Sequence, residues 1–158
     1  MTTLFLTCGL QGSGKTTLAK QLETEHSALR LTADEWLHEL HPEVSGVALD
    51  VLREPVERVQ WNVARRTLEL GCNVILDWGL WSREERDRYR LAARELGVRV
   101  VLCLVEATRE ELFERLSRRN AAAPHGTFHI SEARLDQSIG LFERPTPEEI
   151  ALFDVEAL

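Results

Sequence analysis

Apolar residues follow two rhythms along this chain. Three short runs show no alternation and are rich in Leu, Ile and Val: Leu4 to Cys8, Asn73 to Asp77 and Val98 to Val105. Runs of that kind predict strands covered on both faces, as in a parallel sheet. Leu29-Arg30-Leu31 is a shorter fourth. Between the runs the spacing becomes helical. Leu18, Ala19 and Leu22 mark a helix over Thr17 to Glu25, and further helices are predicted over Glu35 to Leu40, Pro55 to Leu70, Arg83 to Leu96, Thr108 to Ala122 and Ser131 to Phe142. Strand and helix alternate, so the pattern predicts an α/β fold: a mostly parallel sheet of four or five strands with helices on both faces.

Local signals set the boundaries. Pro55 suits a first helical turn, and Gly71 and Gly97 are stop signals. Thr32-x-x-Glu35, Ser82-x-x-Glu85, Thr108-x-x-Glu111 and Thr146-x-x-Glu149 each have the form of a capping box. In the long helix from Pro55, the expected buried stripe is Val59, Val63, Ala64, Thr67 and Leu70, with Trp61 as core or substrate wall. His41 to Glu54 carries a weak pattern, and residues 36–55 are expected to form a mobile insertion on the acceptor side. The final segment, 153–158, is expected to be an edge strand or a frayed tail.

At 158 residues the chain is expected to be one domain with a single core. Hydrophobic content of 44% with 28% charged residues excludes a disordered chain. A net charge of −7 opposes sequence-independent binding to a polyanion and argues against extended nucleic acid as partner. Cys8, Cys72 and Cys103 lack C-x-x-C spacing and are expected to be small buried hydrophobes in a reducing compartment. With neither a basic leader nor a membrane-length apolar run, the expected location is cytoplasmic, without membrane contact. The expected state is monomer or homodimer.

The chemistry is announced by Gly9-Leu10-Gln11-Gly12-Ser13-Gly14-Lys15-Thr16, which fits G-x-x-x-x-G-K-[ST] between a strand and a helix. Glycines let backbone amides approach a phosphate chain, and the following helix aims its positive end at the same anion. Lys15 would reach the β- and γ-phosphates of ATP, the Thr16 hydroxyl would hold Mg²⁺, and Thr17 follows on the same turn. The fold expectation sharpens accordingly to a three-layer P-loop NTPase fold.

Two acids lie at the strand ends where ligands bind in such sheets. Asp34 is read either as a general base or ligand for an acceptor hydroxyl, or as an acid favoured in a helix first turn. Asp77 ends an apolar strand as a Walker-B Asp does, holding Mg²⁺ directly or through water. Trp36, Trp78 and Trp81 are candidate walls for the acceptor. Arg83 and Arg86 oppose the dipole of their helix, which a ligand phosphate or a nearby acid could compensate, so both are candidates for the acceptor site. Arg115 and Arg118 have helical partners in Glu111 and Glu114, whereas Arg119 has none and falls on the core-facing stripe. Arg119, with Arg115 sharing the role, is the candidate for bound phosphates, on a helical lid over about 115–131. His125 and His129 lack the partners a metal site needs.

Taken in order and spacing, these motifs resemble the small P-loop kinases of the AAA-like ATP-binding family, which include chloramphenicol phosphotransferase, polynucleotide 5′-kinase and the zeta toxins. The residues that carry the resemblance are Gly9 to Thr16, Thr32 to Trp36, Val74 to Asp77 with Trp78 to Arg86, Arg115 to Arg119, and Phe142 to Pro145 followed by Glu148-Glu149. The resemblance implies that Asp34 serves as base, that Arg119 and Arg115 bind nucleotide phosphates, and that Arg144 or Pro145 borders the base of ATP. It implies an ATP- and Mg²⁺-dependent phosphotransferase acting on a hydroxyl of a small molecule. A polynucleotide or nucleoside 5′-kinase, or a nucleotide-dependent switch, remains the alternative.

Overall fold

The computed structural model describes residues 1–155, so the last three positions of the expected C-terminal tail lie outside the described residues. Four strands, β1 (Thr3–Cys8), β2 (Leu29–Leu31), β3 (Val74–Gly79) and β4 (Arg99–Leu104), form one parallel sheet in the order β2-β3-β1-β4. Seven helices complete the described chain: α1 (Lys15–His26), α2 (Ala33–Leu40), α3 (Val47–Glu69), α4 (Arg83–Glu95), α5 (Arg109–Ala122), α6 (Glu132–Leu141) and α7 (Pro147–Ile150).

Alternation within the strands distributes the core between two faces. Phe5, Ile75 and Val101 point to one side, where Ala19 and Leu22 of α1 cover them. Leu4, Leu6, Val74, Leu76 and Val100 point to the other, under Ala64 and Leu68 of α3 and Tyr89 and Ala93 of α4. Each fully buried Leu, Ile or Val contributes roughly 1.5–3 kcal/mol, so β1 and β3 anchor the domain. β4 lies at the edge, and its C-terminal half is only half-buried, which corrects the expectation of a strand covered on both faces. Phe153 packs into the core beside β4, and Asp154 bonds backbone and side chain to Val100 without forming a fifth strand.

The long helix departs from expectation in two ways. It begins at Val47, eight residues before Pro55, so the segment expected as an insertion over 36–55 is helical for most of its length. The carbonyl of Val51, which the proline ring leaves without a helical N–H, belongs to an exposed residue that water can reach. The buried stripe is also displaced. Val59 is 52% exposed, Val63 lies at the surface and Leu70 is 81% exposed, while Leu49, Val56, Gln60, Ala64 and Leu68 face inward. Gly71, at φ 83°, closes the helix in the left-handed conformation expected of it. Trp61 packs on Tyr89 with ring centroids 5.0 Å apart and belongs to the core margin.

Two of the four expected capping boxes form, at Ser82 and Thr108. Thr146 caps α7 through its hydroxyl, but the Glu149 carboxylate is used elsewhere. Thr32 makes no side-chain cap for α2. Cys8 is buried and Cys103 half-buried, whereas Cys72 is exposed, contrary to the expectation for all three.

Candidate functional site

All four strands run the same way, so the segments following β1, β2 and β3 meet at one edge. The loop after β1 is held in a narrow slot. A Cβ on Gly9 would lie 2.4 Å from the Val105 carbonyl oxygen, and one on Gly12 would lie 3.0 Å from the Leu116 side chain with φ at 78°. Gly9 donates its N–H to Gly79 O at 2.9 Å, and its own carbonyl accepts from the Trp81 indole at 3.1 Å. Gly9 thus supplies close approach rather than a free donor. Lys15 Nζ donates to Leu10 O at 2.6 Å, folding its ammonium over the loop. Burial lowers the Lys15 ammonium to about pKa 8, against the opposing pull of the Asp77 and Asp34 carboxylates.

Asp34 sits in the first turn of α2, as its reading as a helix-dipole acid expects, and its neighbours are engaged elsewhere. The Thr32 hydroxyl donates to Asp77 Oδ2 at 3.1 Å instead of capping α2, and Glu35 takes a forked pair of bonds from Arg30 at 3.0 and 3.3 Å. Arg53 on α3 donates to Asp34 Oδ1 at 2.7 Å. Asp77 lies where β3 bulges: Leu6 pairs Leu76 and Cys8 pairs Gly79, so Asp77 and Trp78 together oppose Thr7. Its side chain is almost wholly buried and receives hydrogen bonds from Thr16 and Thr32. Burial pushes the Asp77 carboxyl up, while the Thr16 hydroxyl, Lys15 and Arg30 favour its charged form. The hydroxyl and carboxylate expected to hold Mg²⁺ are therefore brought together.

α5 and α6 flank the loop. Arg115 donates to the carbonyls of Gly12 and Ser13 at 3.5 and 3.1 Å, bracing the loop rather than serving only its own helix. Gln11 Nε2 reaches Ser138 Oγ on α6 at 3.1 Å. Arg118 pairs with Glu114 as expected. Arg119 is half-buried; its Nη2 makes a long bond of 3.5 Å to Phe128 O, and burial lowers its pKa while Asp34 opposes. The buried atoms Gln11 Oε1, Ser13 Oγ and Arg119 Nε have no hydrogen-bond partner. Ser13 Oγ and Arg119 Nε are donors, and beside a glycine cradle and the Lys15 ammonium they fit a polyanionic ligand such as a nucleoside triphosphate, whereas Gln11 Oε1 can only accept.

The expected acceptor residues separate into groups. Trp36 and Trp78 lie at the seam between the sheet core and the α2–α3 cluster, and Trp78 Nε1 donates to Gln60 Oε1 at 2.7 Å. They can serve as walls. Trp81 belongs with the loop through its bond to Gly9. Arg86 is corrected outright: it is 0% exposed, its Nε and Nη2 grip Glu149 at 2.6 and 3.1 Å, and Nη1 donates to Leu80 O and Trp81 O at 3.0 Å each. The acid that compensates it comes from α7, so it reaches no acceptor. Arg83 is half-exposed and pairs with Asp87 at 3.2 Å on its own helix, and its N–H donates to Glu143. Arg144 is exposed and grips Glu106 at 2.5 and 3.0 Å, while Pro145 is buried. His125 pairs with Glu39 at 2.7 Å, and no cluster of metal ligands occurs among the described residues.

Two residues absent from the sequence-based set face Asp34 from α3. They are Arg53 and, one turn on, Glu57, whose Oε1 lies 4.0 Å from Arg53 Nη1. Burial raises the Glu57 carboxyl to about pKa 7 against the lowering effect of Arg53, with Glu85 and Asp34 pushing further up. The signal that could have found them is their i, i+4 spacing on one face of a helix interrupted by polar residues.

A family model described as an AAA domain matches residues 4–145. The chain belongs to the AAA domain family. Curated protein sequences include no match to it. Solved structures similar to this AAA domain are P-loop kinases and their relatives. Kti12 from Chaetomium thermophilum in complex with ADP-AlF3 matches at TM-score 0.69 and 18% identity, over 92% of this chain and 82% of that one. APS kinase from Mycobacterium tuberculosis, in complex with AMPPNP and APS, matches at TM-score 0.58 and 19% identity, over 91% and 83%. A chain of the Pnkp1/Rnl/Hen1 RNA repair complex matches at TM-score 0.71 and 19% identity, over 89% of this chain but 43% of the other. At these identities the likeness establishes the fold, a small AAA-like P-loop kinase fold. No helix among the described residues is long and apolar enough to cross a membrane.

Proposed function

We propose that this protein is an ATP- and Mg²⁺-dependent phosphotransferase that moves the γ-phosphoryl group onto a hydroxyl of a small molecule, a metabolite or an antibiotic. The observation that carries the reading is the convergence at one sheet edge of Asp77, Asp34 and Arg119 around the buried Lys15 ammonium, each close enough to act on its charge. In this reading the loop amides from Gln11 to Thr17 and the Lys15 ammonium hold the phosphates, and Thr16 and Asp77 hold Mg²⁺, which neutralises charge when bound. Arg119 gathers charge from the lid side, with Arg115 keeping the loop in shape. Asp34 orients the acceptor hydroxyl and takes its proton as the oxygen bonds to phosphorus and the bond to the ADP oxygen breaks. Trp36 and Trp78 wall the acceptor. Arg144 and Pro145 border the nucleotide base.

The net charge of −7 favours a small acceptor over a long polyanion. A 5′-hydroxyl polynucleotide or nucleoside kinase is the second reading, favoured by the likeness to a chain of an RNA repair complex. Both are tested by acceptor-dependent ADP formation across a panel of metabolites, antibiotics and 5′-hydroxyl oligonucleotides. Turnover with a small hydroxyl compound is the expected result. Turnover confined to the oligonucleotide, abolished by added salt, selects the second reading, and tight ATP binding without turnover on any acceptor overturns both.

A further inference from the structure

One guanidinium stands between two carboxylates on the acceptor side. Arg53 donates from Nη2 to Asp34 Oδ1 at 2.7 Å and holds Nη1 4.0 Å from Glu57 Oε1. We propose that Arg53 is a positioning residue whose allegiance is divided between Asp34 and Glu57, so that the ionisation of Glu57 decides how firmly Arg53 holds Asp34. The proposal rests on the reading of Asp34 as the base.

The geometry makes the division unequal. Glu57 is the more buried partner, its side chain 19% exposed against 46% for Asp34, so charge on it is the harder to sustain and Arg53 is its main compensation. The groups facing Glu57 are Arg53 and Glu54 on its own helix, Asp34 from α2, and Glu85 and Tyr89 from α4. Only one of the five is a cation. While Glu57 is protonated, Arg53 serves Asp34 alone and fixes its orientation. Once Glu57 ionises, a second anion competes for the same guanidinium, and Asp34 is held less firmly. Burial sets the Glu57 carboxyl at about 7, so the exchange falls within the ordinary working range of pH. A salt bridge that merely secured α2 to α3 would need neither Glu57 nor its neighbours.

The test requires no knowledge of the acceptor. The intact protein, labelled with ¹³C at Asp and Glu carboxyls, is titrated by NMR from pH 4 to 9, with the Asp34 signal assigned through Asp34→Asn. The expected result is an inflection near pH 7 in the Asp34 signal that coincides with the titration of Glu57 and is lost in Glu57→Gln. An Asp34 signal with no inflection near 7 in the unaltered protein overturns the proposal without recourse to any variant, as does an inflection that persists in Glu57→Gln. Failure of the underlying reading is distinguishable: Asp34→Asn would then keep its turnover while the coupling between the carboxyls remained.

Discussion

The two sides of this edge, proposed to hold donor and acceptor, are built from different materials. Around Gly9 to Thr16 the ligand-facing surface is backbone, and the loop is tied down from every side: to β3 through Gly79, to Trp81, to α5 through Arg115 and to α6 through Gln11. Beneath it lies the Arg86–Glu149 pair, closed to water. Around Asp34 the surface is made of long side chains from α2 and α3, half-exposed and held by ion pairs. A backbone cradle suits a group that every nucleotide shares. Side chains on two helices suit a hydroxyl whose surroundings differ from one acceptor to the next, and they can be exchanged without disturbing the cradle.

The largest break in this contrast is expected from Lys15→Met, which should lower phosphoryl transfer by roughly 10³-fold or more. The same change should stabilise the protein in the absence of nucleotide. Lys15 has its pKa lowered from 10.5 to about 8 on folding, so its buried charge costs stability in full below about 8 and nothing above 10.5. The gain, on the order of 1–3 kcal/mol at pH 7, should fade as pH rises through that window, which urea denaturation would follow. By the same sign, ATP affinity of the unaltered protein should fall as pH rises through about 8, and that dependence should vanish in Lys15→Met.

Asp34→Asn should reduce turnover by about 10²–10⁴-fold while leaving ATP affinity nearly intact, because its side chain bonds to Arg53 on α3 while the loop and Lys15 are proposed to hold the phosphates. A collapse of ATP affinity would move Asp34 to the metal site and make Asp77 the better base. Arg86→Met should cost about 3–5 kcal/mol in denaturation, because Glu149 is left buried without its partner, and a double change with Glu149→Leu should recover much of it. Last, Arg83→Ala should change stability by less than about 0.5 kcal/mol, as expected of an exposed i,i+4 pair.

The same contrast explains what could be read from the chain. β1 and β3 are continuous apolar runs, and the loop between β1 and α1 carries its own spacing, so the sheet and the glycine-rich loop at its edge are legible in the sequence. α3 is not. Its inward stripe includes Gln60, and Arg53 and Glu57 face Asp34 from the same helix, so polar positions interrupt the apolar rhythm and leave Val59 and Val63 as the more regular but exposed pattern. Two of the residues that blur the helix, Arg53 and Glu57, are those proposed to position Asp34, as expected where function overrides local consistency. Arg86 reads as an acceptor-site cation because the acid that compensates it, Glu149, lies 63 positions away in α7, a pairing that only the fold reveals. Thr32 likewise gave up its cap to bond Asp77 across 45 positions.

Trp81 gives the protein an optical use for one of these ties. Its indole N–H rests on the carbonyl of Gly9, at the root of the loop that would receive phosphates. Charge arriving there alters the field on the indole directly, so the emission of this residue should change as the cradle fills. With Trp36, Trp61 and Trp78 replaced by Phe, the remaining tryptophan becomes an intrinsic reporter of occupancy, and the molecule can be titrated with nucleotide without a label.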